Sequence, residues 1–78
     1  MTWSDTPTNA QLSAVYSMIK WKVPKDTAAG AIQWLAERAT RRDVSYEMKR
    51  IRELYLKHAL DASNCFVGDI WEGFEHEW

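Results

Sequence analysis

The chain has 78 residues, 46% of them hydrophobic and 27% charged, with a formal net charge of −1. That length suits one small domain over 1–78. It leaves no room for a nucleotide-binding α/β fold, a TIM barrel or an active site between two domains. The near-neutral balance lacks the overall basic excess of a typical nucleic-acid binder.

The average hides a segregation of charge. Residues 1–19 carry only Asp5. Residues 20–57 carry all ten Lys and Arg against five acids, a local charge of +5. Residues 58–78 carry Asp61, Asp69, Glu72, Glu75 and Glu77 and no Lys or Arg, a local charge of −5. Such a layout points to charged partners or to pairing between the two parts.

Cys65 is the single cysteine, so no internal disulfide can form and a reducing, cytoplasmic location is expected. No basic-then-apolar leader pattern opens the sequence. The longest apolar runs are two or three residues, far below the ~20 that span a bilayer. No membrane contact is expected.

The first helix is predicted over about 9–22. Thr8 with Gln11 has the capping-box spacing, and Leu12, Val15, Tyr16 and Ile19 share one face. Pro24 stops it, because the residue before proline avoids helical geometry. The second helix is predicted over about 27–39 with Asp26 as cap. Its stripe is Ala28, Ile32, Leu35 and Ala39, widened by Ala31 and Trp34. The third is predicted over about 41–59 behind the pair Thr40 and Asp43. Val44, Met48, Ile51 and Tyr55 make its stripe, joined by Leu54. Nothing between helices two and three forces a break except that capping pair.

Asp61, Ala62, Ser63 and Asn64 read as a turn. In the tail, about 65–78, Phe66, Ile70, Phe74 and Trp78 recur every fourth residue, with Val67 and Trp71 beside them. Acids fall between. This is the pattern of a short amphipathic helix, weakened by Gly68 and Gly73 at about 1 kcal/mol each. The fold class is therefore all-α: a compact three-helix domain plus an acidic, aromatic C-terminal segment that forms a short fourth helix or docks as a tail.

Catalytic chemistry finds little support. His58, Cys65, Asp69 and His76 match no zinc spacing, so neither a metal nor a cofactor is expected. Cys65 stands in the acidic segment, which raises a thiol pKa instead of lowering it, and a buried thiol is the simpler reading. His58 reads as a partly exposed residue at the end of the third helix. No serine stands in a G-x-S-x-G context, and no glycine-rich loop could cradle a phosphate.

Binding surfaces are the better candidates. Trp71, Phe74 and Trp78 could anchor a protein partner, with Asp69, Glu72 and Glu75 as orienting charges. Five Trp, including Trp3, Trp21 and Trp34, exceed what so small a core needs. The plainer reading makes the same tail the fourth element of the core, its −5 beside the +5 middle. Alternatively, Arg41, Arg42, Lys49, Arg50 and Arg52 on the third helix could hold the phosphates of a nucleic acid, helped by the backbone amides at Thr40–Arg42.

Thr8-x-x-Gln11-Leu12, followed by Thr40-Arg41-Arg42-Asp43-Val44-Ser45 with Met48 and Ile51, resembles small helical modules of bacterial and phage proteins, some of which handle DNA. Their form is T-x-x-Q with an apolar helix, then T-K-x-E-A-S with another. Here Arg41 replaces the lysine, Asp43 the glutamate and Val44 the alanine. The intervening helix is also longer than the module's short connection. The resemblance spans about half the chain and implies a fold element more than a function. The size and mixed charge also look like those of phage-encoded inhibitors of host enzymes. The expectation is a non-catalytic binding protein, an adaptor or inhibitor acting on another protein, with nucleic-acid binding as the alternative and room for a homodimer.

Overall fold

A computed structural model describes residues 5–77, apart from the side chains of Glu75 and Glu77. The chain is all-α. Its helices are α1 (Asn9–Ile19), α2 (Lys25–Arg38), α3 (Arg41–Leu56) and the short α4 (Asp69–Glu77). No strand occurs among the described residues, and no described helix is long and apolar enough to cross a membrane.

Capping chemistry sets most of the boundaries. Thr8 Oγ1 accepts from the Gln11 amide and Gln11 Oε1 accepts from the Thr8 amide, both at 3.1 Å. Thr40 and Asp43 repeat that reciprocal pair at the start of α3. Thr40 is extended there (φ −96°, ψ 168°), so α2 and α3 are separate helices. The Gln11 amide group also donates to Ser45 Oγ at 2.9 Å and to the Arg41 carbonyl at 3.3 Å. One side chain thus closes the cap of α1 and ties it to the first turns of α3.

Three boundaries differ from the sequence reading. α1 ends at Ile19 instead of Lys22, because Lys22 and Val23 both donate to the Ile19 carbonyl in a tightened last turn. α2 starts two residues early, with Pro24 at its N-cap and no side-chain cap. Asp26, expected as the cap, lies in the first turn, where its charge favours the helix dipole. α3 stops at Leu56. The Ala59 amide donates to the Leu54 carbonyl and the His58 amide to the Tyr55 carbonyl. That is a Schellman closure with His58 in the left-handed conformation (φ 56°) usually given to glycine.

α1 packs against both α2 and α3. The core holds Val15 and Ile19 from α1, Ala28, Ala31, Trp34 and Leu35 from α2, and Val44 and Ile51 from α3. Leu12, Tyr16, Ile32, Met48 and Leu54 line its edge. The expected stripes are these, with one correction. Tyr55 is 58% exposed, because the last turn of α3 runs past its covering neighbours.

α4 and the preceding turn complete the core. Asp61 Oδ1 accepts from the Ser63 and Asn64 amides, and Asn64 Oδ1 accepts from the Asp61 amide. The turn delivers Cys65 and Phe66 inward. Gly68 then bends the chain with φ +146°, open to glycine at little cost. Its neighbour is Glu47 Oε1, only 3.0 Å from where a Cβ would stand. At Gly73 a Cβ would meet the Trp34 ring at the same distance. Gly68, just before α4, and Gly73, within it, therefore stand where a β-carbon would press on Glu47 of α3 and Trp34 of α2.

Candidate functional site

Trp71 and Phe74 are fully buried. Their rings pack with Trp34 and Phe66 at centroid distances of 4.9–6.3 Å. As protein-binding anchors they would have to be exposed, and in this fold they are not. The physical reason is core volume, since Trp34 is the one aromatic ring that α1–α3 bury. Truncating a buried Trp costs about 3–5 kcal/mol, comparable with the whole stability of so small a domain. Asp69 and Glu72 remain outside, in the first turn of α4. Trp3, Trp78 and the Glu75 side chain lie outside the described residues.

Beneath α4 sits a charge that the sequence reading did not place. Glu47 is fully buried. Its Oε2 accepts from Trp71 Nε1 at 2.5 Å and from Arg50 Nε at 2.9 Å. Its Oε1 has no hydrogen-bond partner. Burial pushes the Glu47 carboxyl above the ordinary carboxylate range, and the Arg50 and Trp71 bonds pull part of the way back. The signal was present in the spacing. Glu47 stands three residues after Val44 and four before Ile51, inside the apolar stripe.

Arg50 is thereby taken out of the basic set. It turns toward the tail and donates to the carbonyls of Asn64 (3.2 Å) and Cys65 (2.8 Å) as well as to Glu47. The first turn of α3 is not a free anion site either, because the Asp43 carboxylate already occupies the Thr40 amide.

Arg41, Arg42, Lys49 and Arg52 remain together. At about 100° per residue they fall within one sector of α3 roughly 100° wide, which begins about 60° from Val44 on the side where Gln11 of α1 donates to Ser45. All four are exposed, and among the described residues none makes an ion pair. Ser45 and Leu56 share the sector, and Glu53 is the nearest acid, at its edge. Tyr46 flanks it, four residues after Arg42 and three before Lys49, and is 64% exposed. Sequence reading passed over Tyr46. It stands off the apolar stripe among cations, a placement that invites an external partner. Arg42 and Tyr46 also line a cleft of about 400 Å³ together with Asp43, Glu47, Gly68, Asp69 and Ile70.

The remaining candidates are dispersed or inert. Among the described residues, no three His, Cys, Asp or Glu side chains gather where a metal could be held. Cys65 is buried, and burial together with the Asp61 charge pushes its thiol up, away from the reactive thiolate. His58 is exposed beyond the end of α3. No protein-family model matches the chain, and no curated protein or solved structure shows significant similarity to it.

Proposed function

We propose that this chain is a non-catalytic module that binds single-stranded nucleic acid along the outer face of α3. The observation that carries the reading is the sector of four exposed, unpaired cations with exposed Tyr46 beside it. Arg41, Arg42 and Arg52 supply planar donors suited to phosphate oxygens, and Lys49 adds a point charge. Tyr46 offers a ring on which one base can stack, which a duplex would withhold. Core packing behind Val44 and Ile51 fixes the helix that carries the face, so the ordering cost is confined to its exposed side chains. Asp69 of α4 shares a cleft with Arg42 and Tyr46, so the face meets one acid at that edge, while Arg41, Lys49 and Arg52 stand outside that cleft. A single cysteine suits a cytoplasmic setting.

The test is a labelled single-stranded oligonucleotide titrated against the wild-type chain and against Arg42→Glu/Lys49→Glu/Arg52→Glu. These side chains are exposed, so the fold should survive, as circular dichroism would verify. The reading requires a loss of at least about tenfold in the variant. Equal affinity in the two proteins would sink it.

A further inference from the structure

A second surface, on the side of the molecule where α1 ends, is independent of the basic sector. Trp21 is 77% exposed. With Ala14, Ser17 and Met18 from α1 and Tyr55 from α3 it lines a groove of about 350 Å³. The α1 residues recur at spacings of three and four, so the groove runs along the helix axis. Its rim is cationic. Lys20 Nζ lies 5.0 Å from the centre of the Trp21 ring, and Lys22 stands beside Tyr55 in the adjoining cleft. Asp61 is the acid that senses Lys22, and its Oδ1 already accepts from the Ser63 and Asn64 amides and the Ser63 hydroxyl.

We infer that this groove docks an amphipathic, acidic helical segment of a partner protein. An apolar floor with a positive rim is complementary to a helix that has an aliphatic or aromatic stripe and flanking carboxylates. Trp21 is the anchor, since large aromatic rings dominate such contacts. A nucleic acid fits less well. The Lys20 ammonium already lies over the Trp21 ring, where a base would stack, and the Ala14 and Met18 floor offers aliphatic contact. The inference does not rest on nucleic-acid binding by α3.

The probe is a synthetic peptide with Leu, Phe and Trp at helical spacing and glutamates on both flanks, paired with a copy in which every glutamate is lysine. Binding is followed by fluorescence anisotropy of the labelled peptide in every protein, and in those that keep Trp21 also through its indole N–H resonance. The glutamate peptide is expected to bind and shift that resonance. Trp21→Ala and the lysine peptide should each weaken binding by at least about tenfold. Arg42→Glu/Lys49→Glu/Arg52→Glu should retain wild-type peptide affinity, which separates this surface from the α3 face. Four results would overturn the inference. These are no shift at millimolar peptide, equal binding of the lysine peptide, an oligonucleotide whose binding is abolished by Trp21→Ala, and a homodimer that Trp21→Ala dissolves, since a second copy would then cover the groove.

Discussion

The Trp71 indole N–H donates to the Glu47 carboxylate across 24 residues of sequence, and both side chains are fully buried. This bond fastens α4 to α3. It also makes Glu47 a point of high sensitivity, because removing one member leaves the others stranded. Glu47→Leu should cost about 3 kcal/mol, the low end for a broken buried pair, since Arg50 keeps two carbonyl partners. Trp71→Phe, which leaves Glu47 short of a donor, should cost about 1–3 kcal/mol. Glu47→Gln keeps an acceptor for the indole and should cost least. Urea unfolding gives the order directly, and a Glu47→Leu variant as stable as wild type would refute the network.

The same carboxyl gives stability a pH dependence of unusual sign. Its folded-state pKa is raised, chiefly by burial. A raised pKa means that the folded state holds the proton more tightly than the unfolded state. The contribution of Glu47 is therefore fully present below the ordinary glutamate value of ~4.3 and is lost as pH rises through its folded-state value. The stability difference between wild type and Glu47→Gln should shift in favour of the variant from about pH 4 upward. Parallel stability curves across that range would refute the shift.

His58 holds the left-handed position of the α3 closure. A β-carbon there is strained, and glycine is not. His58→Gly should raise stability by about 0.5–1 kcal/mol, read as a higher Tm. A lower Tm would mean that the imidazole makes a compensating contact.

Gln11 closes the cap of α1 with one end of its amide and holds the first turns of α3 with the other. Gln11→Glu keeps the acceptor for the Thr8 amide but faces the Arg41 carbonyl with an anion in place of a donor. A loss of about 1 kcal/mol is expected, against little change if the capping box alone mattered. Thermal unfolding of the two proteins distinguishes the cases.

The parts of the fold that sequence revealed are those set by local chemistry. Thr8 with Gln11 and Thr40 with Asp43 are reciprocal caps whose residues lie three apart, so spacing alone exposes them. The stripes of α1 and α2 are equally local. What spacing could not reveal depends on distant partners. Spacing puts Glu47 inside the apolar stripe, but the partner that takes up its charge, Trp71, stands 24 residues away. Arg50 looks like part of a basic face until the 61–65 turn presents its carbonyls. Tyr55 continues a core stripe in sequence, yet no element covers it. The basic sector was legible in composition, and its membership was decided by the tail.

The central claim is that α3 grips phosphates, and its most direct test is the salt dependence of single-strand binding. A labelled oligonucleotide would be titrated by fluorescence anisotropy at several potassium chloride concentrations. Four phosphate contacts by Arg41, Arg42, Lys49 and Arg52 predict that log K falls with log salt at a slope of about −3. Absence of binding at low salt, or affinity indifferent to salt, would contradict the account.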